Sequence, residues 1–408
     1  MKTLYWVRND LRLHDNLALR RATFGSETLD FVYSIDRSLA TAARHRKAFW
    51  FESLWQFQQS LGAYGQFLNL THLPISEFID SSNDLTRVVA SRSYNFKDQQ
   101  TEKALQQVCT RHDIELELVD QAPLILAEQL PIDLAKLKSF TPFRKKIESS
   151  VSPRDPLPAP ESLAPFSLQN SSELQTMGSP SLKLFPAGEK AALARLDHYL
   201  WRSKKALTYK ETRNGMVEFD DSTKFSPYLA VGSLSPRKIY QELKKFESEI
   251  EANESTYWIY FELLWRDFFK YYSLKHGEKL FQLAGPKQTQ LDWEVGLQRN
   301  RNWHKWTKGQ TGQEFVDANM TELRRTGWMS NRGRQNVASY WSKHIYCDWR
   351  LGARWFEKQL IDYDAESNWG NWAYNSGVGP DPRDRKFDLV KQAQMYDPDR
   401  RYRNKFLA

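Results

Sequence analysis

The chain has 408 residues, 40% of them hydrophobic and 14% aromatic, with a formal charge of +8. That length exceeds what one ordinary core supports, so two domains are expected. No apolar run is long enough to span a bilayer, and Cys109 and Cys347 alone exclude a disulfide framework or a four-cysteine zinc or iron–sulfur site.

Met1-Lys2 passes directly into the strand-like Thr3–Val7, leaving no room for a signal or transit peptide, so a cytoplasmic location is expected. Residues 1–120 then alternate short apolar runs with amphipathic ones. Leu4–Val7, Leu29–Ile35, Phe67–Leu70, Ser93–Phe96 and Ile114–Val119 read as strands. Arg44–Leu61, Ile75–Ser91 and Thr101–Arg111 read as helices. This alternation predicts βαβ units and a parallel five-stranded sheet with right-handed crossovers. A dinucleotide fingerprint is missing, because the first strand runs into Arg8-Asn-Asp-Leu-Arg12 without a glycine. Arg8, Arg12, His14 and Asp15 read as a solvated loop capping the next helix.

Residues 123–186 hold ten of the seventeen prolines. Such density rules out long helices and strands. A connector at 126–187 is expected, wrapped over the surface or loosely ordered, with one short helix from Pro142 to Ser149. Beyond it the pattern is helical. Gly188–Lys204, Ser235–Ile250, Trp258–Lys275, Gly312–Thr326, Asn331–Lys343 and Leu351–Ile361 read as helices, with Ser235-Pro236 as cap and first-turn proline. Eleven of the fifteen tryptophans lie from Trp258 onward, which places the aromatic chemistry here. The tail, Asp381 to Ala408, reads as a docked coil or a frayed end. The expected organisation is an α/β domain at 1–125, the connector, and an all-helical domain at 188–408.

Three constellations in the helical half carry chemistry. Tyr209 with Ser222-Thr223-Lys224-Phe225-Ser226 places hydroxyls at a helix entry, where they cap free N–H groups or bind phosphate oxygens. Glu262, Trp265 and Arg266 share one helix face by their i, i+3, i+4 spacing. A carboxylate beside an indole can hydrogen-bond a pyrimidine edge while the ring stacks on it. The same residues also make an ordinary Glu–Arg pair beside a core tryptophan. The third constellation is Asn331-Arg332-Gly333-Arg334, Asp362-Tyr363-Asp364 and Asn368-Trp369-Gly370-Asn371-Trp372. Buried Asp, Asn and Arg need partners, which a flat heteroaromatic ligand with polar edges can supply. A Trp-rich helical core with a charged rim is the other reading.

These motifs, with WVRNDLRLHDN near the N-terminus, FTPFRKKIE in the connector and ETRNGMVEFDDSTKFSPYLAVGSLSPR, resemble the photolyase and cryptochrome family over essentially the full chain. GWMSNRGRQNVAS, DWRLGA, NWGNWAYNSGVG and DPRDRKF resemble its DASH branch. The resemblance implies an all-helical FAD-binding domain. Tyr209, Ser222, Thr223, Lys224 and Ser226 would contact the cofactor diphosphate. Arg266, Arg334, Asp362 and Asp364 would surround the flavin, Asn368 would face its N5, and Asn331 would reach toward both adenine and lesion. Glu262, Trp265, Gln335 and Tyr374 are implied for the lesion pocket. Trp372 and Trp349 align with the inner members of the family's electron-carrying tryptophans, and Trp293 is the candidate for the outermost. Asp98, next to Lys97, stands where DASH relatives place a Glu for a methenyltetrahydrofolate-type antenna.

The implied activity is blue-light-driven splitting of cyclobutane pyrimidine dimers by electron transfer from reduced flavin. DNA is the implied partner, single strands preferred, because duplex-repairing relatives usually carry Met and Trp where this chain has Gln335 and Tyr374. The branch acting on (6-4) photoproducts needs histidines around Asn331 and Gln335, and neither is His. The alternative is a blue-light photoreceptor that binds DNA or a protein without repair. A monomer with no metal and no membrane association is expected.

Overall fold

In the computed structural model, residues 1–82, 84–168 and 184–408 are described. Five strands, β1 (Lys2–Trp6), β2 (Thr28–Ser34), β3 (Leu68–Thr71), β4 (Arg87–Ser91) and β5 (Glu115–Val119), form one sheet. Its order is β3-β2-β1-β4-β5, every neighbouring pair parallel. In the central strand Tyr5 lies opposite Phe31 of β2 and Val89 of β4. Successive side chains point to opposite faces of a strand. Leu4, Trp6, Val32 and Val88 therefore pack under the helices Ile75–Asp80 and Phe96–Arg111. Tyr5, Phe31, Tyr33 and Val89 join the other core, with Leu17–Thr23 and Arg44–Gly62.

The fourth strand corrects the sequence reading. The helix from Ile75 ends at Asp80, and the strand is Arg87–Ser91 rather than Ser93–Phe96. All five of its residues are buried. A strand covered on both faces reads as a continuous apolar run without alternation, so Val88-Val89-Ala90 passes for the end of a helix. The residues after Ser93 instead lead into the helix Phe96–Arg111, where the Asn95 side chain accepts the Asp98 N–H.

Nor are Arg8, Arg12, His14 and Asp15 a solvated loop. Asp15 and Arg237 are both fully buried and pair at 2.7 Å, joining the loop after β1 to the helix Pro236–Glu249. Arg12 donates to the carbonyls of Gly232 and Asp15. His14 meets Glu189, and Arg8 pairs with Glu102. This loop is the seam between the sheet and the helices. Burial alone would raise the Asp15 carboxyl; Arg237 and Arg12 more than offset that and hold it below the usual carboxylate range.

The described part of the connector is pinned to the sheet. Leu29 N–H donates to Pro165, and Asp30 accepts the N–H groups of Ser167 and Leu168. The short helix expected at Pro142–Ser149 spans Phe140–Ser150 and buries Phe140, Phe143 and Ile147. The connector's residues 169–183 lie outside the described ones.

Thereafter the chain is helical, through Glu189–Asp197, Pro236–Glu249, Glu254–His276, Gly296–Lys308, Glu314–Thr326, Asn331–Ser339, Trp349–Gln359 and Ala365–Ser376. Ser235 caps its helix by accepting the Arg237 N–H, with Pro236 in the first turn, as expected. The run predicted to Lys343 changes pitch at Tyr340, continuing as one wider turn to His344. The tail is not frayed: residues 381–388 run as a docked coil, with Phe387 N–H donating to the Ser339 hydroxyl. The helices Leu389–Tyr396 and Arg401–Leu407 follow, where buried Tyr402 donates to Glu322 and Asn319. Among the described residues, no helix is long and apolar enough to cross a membrane.

Candidate functional site

A cavity of about 760 Å³ opens among these helices. The helix Glu254–His276 contributes Glu262, Trp265 and Arg266 to its wall; Asn331–Ser339 contributes Asn331, Arg334 and Gln335. Ala365–Ser376 contributes Asn368, Trp372 and Tyr374, and Tyr209, Ser222, Thr223, Lys224, Ser226, Asp362 and Asp364 complete the set. Residues spread over more than 150 sequence positions thus face one space.

Its inner wall is held by charge. Arg334 grips buried Asp362 at 2.7 Å and 3.0 Å, and the Ser226 hydroxyl donates to the same carboxylate. Asp364 caps its helix through the Ser367 N–H. Buried Lys270 lies 3.2 Å from Asp364 and 3.3 Å from Glu366. Burial would push the Asp364 carboxyl up; Lys270 and Arg266 overcome that and hold it well below the usual range. Glu366, buried and repelled by Asp364, is pushed up despite Lys270. The Asn368 amide nitrogen donates to the Ala353 carbonyl at 3.0 Å, which fixes the carboxamide on the wall. Arg266 is partly engaged elsewhere, donating to the Ala122 carbonyl at 2.8 Å.

One end of the cavity gathers a buried cation and hydroxyls. Buried Lys224 stands 2.9 Å from the Ser222 hydroxyl and 4.1 Å from the centre of the Trp328 ring. Burial, with some help from the Arg195 cation, lowers its ammonium to about 8. The helix that follows, Ser226–Val231, is only six residues long, so little macrodipole backs the hydroxyls and the charge comes from Lys224. Arg195 shapes this loop by donating to the carbonyls of Thr223 and Ser222. Nothing in the local sequence points to it.

The cavity mouth is more engaged than the sequence implies. Glu262 pairs with Arg213, whose guanidinium lies 4.3 Å from the centre of the Trp258 ring. Burial raises the Glu262 carboxyl, with Arg213 opposing. Trp265 has one face covered by Phe140 of the connector helix, stacked at 3.8 Å and 13°. Its edge relation to Tyr374 is T-shaped, at 6.0 Å and 89°. Gln335 accepts from Arg332 at 2.9 Å. Arg213 follows Tyr209 by one helical turn, a spacing that could have found it; Phe140 carries no such signal.

Trp372 lies against Gly352, where an added Cβ would come within 2.2 Å of the indole, so a glycine is required to seat it. Trp349 is fully buried outside the cavity wall and meets Trp369 at 5.6 Å. Trp293 is partly buried ahead of the helix Gly296–Lys308 and also stands off the wall. Asp98 lies off it too, on the helix Phe96–Arg111. It pairs with Arg8 at 3.3 Å and accepts from Ser93 and Asn95, while Lys97 pairs with Asp36.

The donor set fits a flavin dinucleotide. A buried cation with hydroxyls suits a diphosphate; an ion pair, a carboxamide and an indole suit a flat ring with polar edges. The volume lies within the range of large-ligand sites. Comparisons with known proteins agree. Residues 258–408 match the family model described as the FAD binding domain of DNA photolyase, and residues 3–161 match the DNA photolyase model. A protein named Cryptochrome DASH from Synechocystis is 42% identical over 98% of this chain and 86% of its own length. An Arabidopsis thaliana protein named Cryptochrome DASH, chloroplastic/mitochondrial, is 39% identical over 98% of this chain and 74% of its own. The crystal structure of the Synechocystis cryptochrome superposes with a TM-score of 0.91 at 41% identity, covering 100% of this chain and 88% of that one. A class III photolyase from Agrobacterium tumefaciens superposes with a TM-score of 0.84 at 27% identity, covering 100% and 86%.

Proposed function

The chain belongs to the photolyase and cryptochrome family, in its DASH branch, and from that premise we propose that it repairs cyclobutane pyrimidine dimers in DNA under blue light. The observation that carries this reading is the single cavity whose inner wall holds the Arg334–Asp362 pair and whose mouth presents Glu262, Trp265 and Tyr374. FAD, when bound, supplies the light absorption and the transferable electron. Lys224 with the Ser222 and Thr223 hydroxyls would hold its diphosphate, and Arg334, Asp362 and Asn368 would orient its ring. Glu262 would hydrogen-bond the dimer, and Trp265 and Tyr374 would exclude water around it. A methenyltetrahydrofolate-type antenna belongs to the same proposal, with Asp98 as its contact.

Illumination of the reduced, FAD-loaded protein with a dimer-bearing single-stranded oligonucleotide should restore the thymines. Glu262→Ala should retain FAD and lower that yield by about tenfold, the effect of losing one hydrogen bond to a charged group. No restored thymine, with flavin bound and photoreducible, would favour a photoreceptor that does not repair. Phe140, stacked where a pyrimidine would lie on Trp265, favours that second reading.

Lys224 adds a pH dependence. Its ammonium is lowered to about 8, so the cation that attracts a diphosphate is present below that pH and lost above it. FAD affinity of the apoprotein should be flat below pH 8 and weaken above it, by at most about tenfold per pH unit. Fluorescence titrations across that range check this, and Lys224→Met should weaken binding and flatten the profile. An unchanged slope in the variant would remove Lys224 from the anion site.

A further inference from the structure

Five indoles form a continuous set of ring contacts leading from the cavity wall outward. Trp372 meets Trp306 at 6.1 Å, and Trp306 meets Trp341 at 4.9 Å and Trp303 at 6.1 Å. Trp303 also meets Trp341 at 5.7 Å and Trp355 at 5.6 Å. Trp306 and Trp341 are fully buried, whereas Trp303 and Trp355 reach solvent in part. Trp349 belongs to a different contact, with Trp369. We propose that Trp306, Trp341 and Trp303 form an electron-supplying branch to Trp372 that is separate from any route through Trp349. The proposal rests on the FAD reading of the cavity.

The step moves one electron at a time. FAD, when bound, would take up one electron under light, and the residues of this chain would supply it: Trp372 gives up the electron, Trp306 refills Trp372, and Trp341 or Trp303 refills Trp306. The deficit ends on Trp303, where a small thiol in the medium supplies the electron and gives its proton to water. Two thiols oxidised in this way pair as a disulfide, so electrons and protons balance. The buried hydrogen bonding favours passage over trapping. Among the described residues the Trp306 indole nitrogen has no hydrogen-bond partner, and that of Trp341 donates to the Asp348 carbonyl at 2.8 Å. Among the described residues neither ring's N–H meets a carboxylate or imidazole that could take its proton, so each oxidised ring keeps its charge and passes it on. Trp306 and Trp341 both touch Trp303, which makes Trp303 the exit.

Flash photolysis of the FAD-loaded protein tests the branch by following the tryptophanyl radical, with thiol-driven photoreduction measured alongside. Trp303 is partly exposed, so Trp303→Phe should fold and bind FAD normally. It should lower the yield of long-lived radical several-fold, Trp349→Phe should leave a substantial remainder, and the double variant should lose nearly all. Trp306→Phe should reproduce the Trp303→Phe defect from the inner end. Flavin bound with unchanged radical yield in Trp303→Phe overturns the branch alone. A protein that binds no flavin overturns the cofactor reading and the branch with it.

Discussion

A thymine dimer in a single strand should be repaired roughly a hundredfold faster than the same dimer in intact duplex. Reaching a dimer in duplex requires unpairing and flipping it, at a few kcal/mol, and about 1.4 kcal/mol is a factor of ten. Pocket contacts could offset that cost, but here the protein has engaged them itself. Phe140 covers one face of Trp265, the Tyr374 hydroxyl accepts from Arg385 at 3.3 Å, and Gln335 is held by Arg332. A single strand needs no unpairing. The guanidiniums of Arg144, Arg213, Arg332, Arg383 and Arg385 at the cavity can hold its phosphates, with binding that weakens as salt rises. Tyr374→Trp with Gln335→Met enlarges the stacking surface and removes a polar group, and should narrow the ratio. Parallel repair assays on matched single-stranded and duplex oligonucleotides decide the matter. Equal rates in the unmodified protein would refute this account of the mouth.

The largest effect on stability is expected from Asp15→Asn, a loss of about 3–5 kcal/mol. Asp15 sits at φ 44°, a left-handed conformation that Asn also tolerates, so the substitution removes charge without imposing backbone strain. What remains is a fully buried Arg237 cation without its counter-charge, met only by neutral acceptors: the carbonyls of Gln121 and Pro123 and the amide oxygen of the new Asn. The Ser235 hydroxyl also loses its charged acceptor. Against a typical total of about 5–15 kcal/mol, the variant should be close to the limit of folding. The pH dependence has a definite sign. The folded-state carboxyl of Asp15 is held below its unfolded value, so its contribution is full above the ordinary carboxylate range and is lost as pH falls through the folded value. The deficit of Asp15→Asn should therefore be largest near neutrality and shrink in acid. Urea unfolding at the two pH values measures it; a change within about 0.5 kcal/mol at neutral pH would mean the pair contributes little.

By itself the sequence indicated the parallel α/β and helical architecture and a proline-rich connector, and its motifs named most of the residues that line the candidate cavity through their resemblance to a known family. Those signals are local: hydrophobic period, proline density, the helical spacing within Glu262–Arg266 and the family-like wording of Asn331–Arg334 and Asp362–Asn368 are each read within a few turns of chain. Tertiary structure alone decided where β4 lies, because burial on both faces erases the alternation that marks a strand. It also decided that Asp15 closes on Arg237 across 222 positions, that Phe140 covers Trp265, and that Trp372 rests on Gly352 and meets Trp306. Such contacts join side chains from distant segments, and no periodicity within either segment records its partner. They exist only once the sheet and helices have packed, when a buried charge must find its counter-charge and an indole must fill the space that a missing Cβ leaves.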